Sequence, residues 1–389
     1  MNVLEKNKQK SCVGCGNCVN ICPQKALKME WNTMGFLVPE IKNEYCKNCG
    51  LCNKVCQLNY TNKDLNNHFQ QDSYIVITKN KNIYKKAASG GIFGTIALNF
   101  LNNNDNAYIV GAAYDNGEVR HIITDNIKDI EKIQNSKYVQ SNLGEIFIQI
   151  KDKLNSGAKI LFSGTPCQVK ALKLFLQKEY DNLFLIDLIC HGVPSPLYLK
   201  KDINAYGKNI DNINFRKKNL LFKSRSNFVL SIFKKGKRHS KRYIAANRDP
   251  YYNLFLKNQS FRESCYSCRF ADLKRVGDIT IGDCDSYMLY SNFHSNEATS
   301  TVIINSLKGK LLWEEMKKYF EYESLDINKE AIVNTQLKRA VDLPEKYNEI
   351  IKDINEQTVD FLQKKYAKSH GVKEKLVLIK QLLFPVIKK

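Results

Sequence analysis

The sequence predicts an α+β protein with an α/β core, built in three parts. Three observations carry that prediction. Eight of the thirteen cysteines fall between positions 12 and 56, in one spacing used twice. From about position 74, short apolar runs of strand character alternate with amphipathic stretches, the texture of a mixed, largely parallel sheet. From about position 330 the chain becomes charged, with helical periodicity. The boundaries expected from these changes are 1–72, 73–328 and 329–389. With 43% hydrophobic and 11% aromatic residues, a mostly disordered chain is excluded.

In the first part, Cys12-x2-Cys15-x2-Cys18-x3-Cys22-Pro23 is followed by Cys46-x2-Cys49-x2-Cys52-x3-Cys56. This is the bacterial two-cluster ferredoxin spacing, so the domain is expected to be ferredoxin-like with two 4Fe-4S clusters. Three thiolates at two-residue gaps wrap one cubane, while the fourth leads away and ligates the other. One cluster is thus assigned to Cys12, Cys15, Cys18 and Cys56, and the other to Cys46, Cys49, Cys52 and Cys22. Gly14, Gly16 and Gly50 permit the tight loops. Gln57 stands where the second repeat would carry proline, a departure that removes no ligand. Zinc sites instead favour two CxxC pairs joined by a longer spacer.

In the second part, 74–78 (YIVIT) reads as a buried strand and 92–101 as an amphipathic helix. Strands at 107–114 and 118–124 form a hairpin about a turn at 115–117. A helix at 143–154 precedes a strand at 159–162, a helix at 168–177 and a strand at 183–189. Strands at 278–282 and 301–305 follow, then a helix at 307–320.

In such folds, function collects in loops at the carboxyl ends of strands. Ser89-Gly90-Gly91 precedes a helix, where free N–H groups suit a phosphate; an N-cap with a flexible lead-in explains it equally. Ser163-Gly164-Thr165-Pro166-Cys167-Gln168 leaves a strand and opens a helix. The run 187–194 (DLICHGVP) places Cys190 beside His191, and Cys265-x2-Cys268 lies before the strand DITIGD.

Other features bound the setting. The formal net charge is +21, spread along the chain with one denser run at 234–242. A basic surface suits an acidic redox partner or an anionic cofactor; no nucleic acid is expected. Thirteen cysteines, no signal-peptide h-region and no apolar run of membrane-spanning length point to a cytoplasmic chain with thiols kept for metals or redox chemistry. The segment 373–389 (KEKLVLIKQLLFPVIKK) suits a helix docked on the body, or peripheral contact with an anionic membrane.

Taken in order, the ferredoxin repeat, ASGGIFGTIA, SKYVQS, FSGTPCQ, DLICHGVPSP, CYSCRFAD and GDITIGD resemble the coenzyme F420 hydrogenase/dehydrogenase beta-subunit family over roughly the first three hundred residues. The resemblance implies FAD beside the iron–sulfur clusters, and electron exchange with a deazaflavin or another organic acceptor. Plant relatives reduce a chlorophyll intermediate, and many bacterial relatives occur in organisms not known to make F420, some near surface-polysaccharide genes. It also gives Cys167, Cys190, Cys265 and Cys268 a use as ligands of a third cubane, against separate buried thiols. Cys284 departs from the family pattern, either as a core thiol or as a substitute for one of the four. The resemblance further implies that Ser89, Gly90 and Gly91 hold the flavin pyrophosphate. Gly164, Thr165 and Pro166 would approach the ring, with Lys137, Tyr138 and Gln140 as further wall.

The expected function is an FAD- and iron–sulfur-dependent oxidoreductase linking an acidic ferredoxin-like partner to a small organic two-electron acceptor. The alternative is a non-catalytic subunit that delivers electrons to a separate enzyme, for instance in surface-polysaccharide metabolism.

Overall fold

The computed structural model describes residues 10–60, 69–115, 117–218, 228–234, 241–293 and 297–368. The segment 373–389, most of the basic run 234–242 and Asn116 of the predicted turn lie outside the described residues. Among the described residues, no helix is long and apolar enough to cross a membrane.

The cysteine-rich part contains two single helical turns, Asn17–Asn20 and Leu51–Lys54. Between them lies an antiparallel hairpin, β1 (Leu27–Trp31) with β2 (Leu37–Ile41). The two helical turns begin alike, after Gly16 at φ 74° and Gly50 at φ 76°. A Cβ at either glycine would meet nothing within 4 Å, so the left-handed backbone rather than space requires glycine there.

The body is an eight-stranded mixed sheet in the order β13-β3-β12-β11-β7-β6-β4-β5. Its strands are β3 (Asp72–Thr78), β4 (Ala107–Asp115), β5 (Glu118–Thr124), β6 (Lys159–Gly164), β7 (Leu183–Leu188), β11 (Ile279–Asp283), β12 (Ser300–Ile304) and β13 (Phe320–Ser324). The helices joining and covering them are α1 (Ile92–Asn103), α2 (Ile146–Asn155), α3 (Pro166–Leu176) and, beyond the second sheet, α6 (Leu307–Met316). One face packs under α1 and α6, where Ile96, Phe100 and Trp313 meet Ile109, Leu161 and Val302. The other packs under α2 and α3, where Phe147, Val169 and Leu172 meet Ile160, Phe162 and Leu185. Ile160, Leu161 and Phe162 are all fully buried, which explains an unbroken apolar run without alternation.

The pairings of β4 with β6, β6 with β7, and β7 with β11 are parallel, and the other four are antiparallel. The parallel order is therefore confined to the centre, where α2 and α3 accompany the crossovers. The predicted helix at 307–320 ends at Met316, and Phe320 starts the edge strand β13. Phe320 stacks on Trp313 at 5.7 Å between centroids, so one aromatic pair served both periodicities.

A second sheet, β10-β9-β8, was absent from the expected elements. It comprises β8 (Ile210–Arg216), β9 (Phe228–Lys234) and β10 (Lys241–Ala245). Ile213, Phe215, Leu230 and Ile232 bury against α4 (Pro196–Ala205) and α5 (Pro250–Leu256), in a core rich in tyrosine and phenylalanine. The chain then closes through α7 (Ile327–Val333), α8 (Tyr347–Glu356) and α9 (Val359–Tyr366). Ile350, Ile354 and Leu362 join that same aromatic core.

Candidate functional site

The cysteine repeats fold into two unequal settings. Burial pushes the Cys15 thiol up to about 12, with further upward pressure from the charges of Cys12 and Cys56. Cys18 is raised by burial and then by Cys15, Cys12 and Cys56. Cys52 is raised chiefly by burial and feels Cys49 and Cys22. Cys22, Cys46, Cys49 and Cys52 together line a recess of about 40 Å³, and Cys49 is exposed. The chain thus brings Cys56 to the first loop and Cys22 to the second. The first set is enclosed and the second faces outward.

The enclosed set docks against the sheet body through buried polar side chains. Asn17 Nδ2 donates to Val55 O (3.1 Å) and to Ala171 O on α3 (2.8 Å). Arg262 donates from Nε to Cys12 O (2.6 Å), from Nη1 to Gln140 Oε1 (2.9 Å) and from Nη2 to Leu37 O (3.1 Å). Gln140 Nε2 in turn donates to Val13 O (2.8 Å). Gln57 Nε2 donates to Cys167 O (3.1 Å), joining the end of the second repeat to the start of α3.

Behind this seam lies a cavity of about 350 Å³ whose lining includes Cys167, Cys190, Cys265 and Cys268. Three strand ends supply its walls: the β6–α3 loop, the loop after β7, and the end of β11. Burial pushes the thiols of Cys167, Cys190 and Cys265 up to about 12 and raises that of Cys268. The charges of Cys190, Cys268 and Cys15 act on Cys167, and those of Cys167 and Cys268 act on Cys265, so the four lie together and next to the enclosed N-terminal set. The segment bearing Cys268 is fixed by Arg275, which donates to Phe270 O (3.0 Å) and Leu188 O (2.7 Å) and pairs with buried Asp187 (3.5 Å).

The β6–α3 loop has its own support. Thr165 N donates to Gln168 Oε1 (3.0 Å), and Gln168 Nε2 donates to Ser141 Oγ (3.0 Å). Ser141 Oγ lies 3.0 Å from His121 Nδ1, and His121 Nε2 lies 3.1 Å from Ser163 O. A carbonyl can only accept, so the network assigns the imidazole hydrogen to Nε2. His121 is buried and stacks on Phe162, and burial lowers its pKa to about 4.

Four thiols suit a soft metal centre once deprotonated, because each buried thiolate needs a compensating positive charge. Among the described residues, no three His, Cys, Asp or Glu side chains converge tightly enough to chelate one ion. A cubane would place each thiolate on its own iron, and so does not require three side chains on one ion.

Of the flavin candidates, Ser89, Gly91, Lys137, Tyr138, Gln140, Gly164 and Thr165 line the cavity. Gly90 and Pro166 are not among the lining residues. A Cβ on Gly90 would lie 2.5 Å from Val76 O, so this glycine serves the approach of its loop to β3. Pro166 is buried at the start of α3. The expected reasons also change at three positions. A Cβ on Gly164 would meet Phe162 at 2.9 Å, so its smallness accommodates a core ring. The Thr165 hydroxyl lies 3.2 Å from Cys167 Sγ, and the Ser89 hydroxyl donates to Thr299 O (2.6 Å).

Lys137 donates to Lys132 O and to Ile133 O (3.0 Å), and burial lowers its pKa to about 7. Gly91 begins α1 at φ 83°, and residues 91–94 face the cavity. Cys284 is buried elsewhere, with Sγ 3.6 Å from Glu330 Oε2 and apolar neighbours Ile75 and Phe293.

Sequence reasoning missed the polar residues that hold this site. Arg216 donates to Tyr138 OH (3.0 Å) and Asp283 Oδ2 (2.8 Å), but gave no sign in its strand. Arg262 lies three positions before Cys265, and Gln57 was visible as a departure without an assigned use.

Residues 157–329 match the family described as the C terminus of the coenzyme F420 hydrogenase/dehydrogenase beta subunit, and residues 11–59 match the 4Fe-4S dicluster domain. Pyruvate synthase subunit PorD of Methanothermobacter marburgensis is 36% identical over 53 residues, which make up 14% of this chain and 52% of that protein. The chain therefore spans about half the length of this curated relative. A chain of the F420-reducing NiFe hydrogenase complex from Methanosarcina barkeri is 16% identical with a TM-score of 0.44, covering 73% of this chain and 99% of that one.

Proposed function

We propose that this chain, whose residues 157–329 match the C terminus of the coenzyme F420 hydrogenase/dehydrogenase beta subunit and whose residues 11–59 match the 4Fe-4S dicluster domain, is an iron–sulfur flavoprotein oxidoreductase. In this reading it moves electrons, in either direction, between an acidic ferredoxin-like partner and a small organic acceptor, deazaflavin-like or otherwise conjugated. The observation that carries the reading is the adjacency of the enclosed N-terminal cysteine set to the central set, which opens on a cavity of about 350 Å³.

When bound, the clusters handle single electrons and FAD pairs them for two-electron chemistry. Cys12, Cys15, Cys18 and Cys56 would hold one cluster, Cys46, Cys49, Cys52 and Cys22 a second, and Cys167, Cys190, Cys265 and Cys268 a third. The exposed position of Cys49 favours the second set as the side that meets a partner protein. In the cavity, the amides at the start of α1 would offer a positive dipole end to a pyrophosphate. Lys137 and the Arg216–Asp283 pair beside Tyr138 would set the polarity of the wall that meets the flavin. His121, Ser141 and Gln168 keep the loop bearing Cys167 in place.

The test is stopped-flow mixing of anaerobically purified protein with reduced ferredoxin, followed by a screen of deazaflavin, nicotinamide and quinone acceptors. Flavin bleaching with turnover of a small acceptor supports the oxidoreductase. Bleaching without turnover would make the chain an electron-delivery subunit, and protein without flavin would overturn the cavity assignment.

A further inference from the structure

Gln57 occupies the position at which the two cysteine repeats part company, since Cys22 is followed by Pro23 and Cys56 by Gln57. The backbone does not demand the change. Gln57 opens a 3-10 turn, and Cys56 sits at φ −81°, ψ 116°, the extended geometry that a residue before proline prefers. What distinguishes glutamine is its side chain, which is only 3% exposed and lies between the two cysteine sets. Its Nε2 donates to Cys167 O at 3.1 Å, and the same side chain sits beside the Cys15 sulfur, on which it acts as a hydrogen-bond donor would. The backbone is anchored as well, because Arg269 Nη1 donates to Gln57 O (3.2 Å) and to Tyr60 O. Cys15, Cys167 and Cys268 pack against one hydrophobic cluster, so the amide bridges two elements that already touch the same core.

A buried amide is costly unless its hydrogen bonds are made, and Gln57 Oε1 has no hydrogen-bond partner among the described residues. The group is therefore retained at a cost, with its N–H side turned to the seam. We propose that Gln57 is a positioning residue that ties the Cys15 side of the enclosed N-terminal set to the Cys167 loop. An N–H directed at the Cys15 sulfur would raise the reduction potential of a cluster held there. The inference rests on the proposed function, in which both sets hold clusters. Its physical basis is that an N–H donor stabilises the more negative, reduced state of a thiolate-bound cluster.

The experiment uses the full chain, purified anaerobically, as wild type, Gln57→Met and Gln57→Pro. Methionine keeps the length and apolar bulk without a donor, and proline restores the usual repeat. Iron and sulfide are quantified first, then each N-terminal cluster is followed by electron paramagnetic resonance during a redox titration. Iron content should stay at the wild-type level. One such bond is worth about tenfold in the reduction equilibrium, so the enclosed cluster should titrate about 59 mV lower, with the outward-facing cluster unmoved. Unchanged potentials in both variants would overturn the proposal, as would equal shifts of both clusters, which would mean general loosening. If the wild type itself lacks iron and sulfide, the functional reading fails, and this inference with it.

Discussion

Replacing Arg262 with alanine should loosen the seam between the cysteine-rich domain and the cavity wall more than any other single change there. The guanidinium is buried and spans three acceptors, Cys12 O, Gln140 Oε1 and Leu37 O, at 2.6, 2.9 and 3.1 Å. Arg262→Ala leaves all three without that donor. At about 1.5 kcal/mol for each bond from a charged donor, the gross loss is about 4.5 kcal/mol. Removing a buried cation also relieves its desolvation, and water from the adjoining cavity can rehydrate part of the gap. A net destabilisation of about 3 kcal/mol results. With a urea dependence of about 3 kcal/mol per molar, the midpoint for loss of cluster absorbance should fall by about 1 M. Arg262→Lys should recover only part of this, because an ammonium on a flexible stem cannot reproduce the planar fork. The assay is a urea titration of anaerobic protein followed in the visible region. A midpoint for Arg262→Ala equal to that of the wild type would refute the clamp.

Two further outcomes follow from the same geometry. His121 is neutral in the folded chain with a pKa near 4, against 6.5 for a free imidazole, so the unfolded state binds the extra proton first as pH falls. Stability is then complete above pH 6.5 and declines toward pH 4, by about 3 kcal/mol for the full gap. His121→Gln should flatten that decline in melting temperatures measured at pH 7 and pH 5, and an unaltered pH slope would count against a buried neutral imidazole. Cys22→Ser should chiefly disturb the cluster of Cys46, Cys49 and Cys52, since Cys22 shares their recess. Selective loss of the Cys12, Cys15 and Cys18 signal in electron paramagnetic resonance would reverse the crossed assignment.

The cysteine spacing was legible because cluster loops are local: a few residues fix both ligands and turns. The central strands β4, β6 and β7 were legible because burial on both faces leaves unbroken apolar runs such as Ile160, Leu161 and Phe162. The second sheet was not, since β8 and β9 bury against α4 and α5, and nothing within either strand announces that partner. The edge strand β13 hid behind a helix whose Trp313 it stacks on. In the site, cysteines and glycines could be picked out by type, but their supports could not. Arg262 and Gln57 matter for what they reach across 250 and 110 positions of chain, which no local pattern records. Gly90 and Gly164 were picked out as flavin-loop candidates, yet the atoms that crowd a side chain there, Val76 O and the Phe162 ring, belong to the core.

The central claim, that twelve of the thirteen cysteines hold three clusters beside a flavin, is tested most directly by stoichiometry. Iron, acid-labile sulfide, zinc and extractable flavin should be measured on one anaerobic preparation of the whole chain. The account predicts about twelve iron and twelve sulfide per chain, with one FAD. About eight of each would retain the N-terminal clusters and remove the central one. Zinc without labile sulfide would contradict the account as a whole.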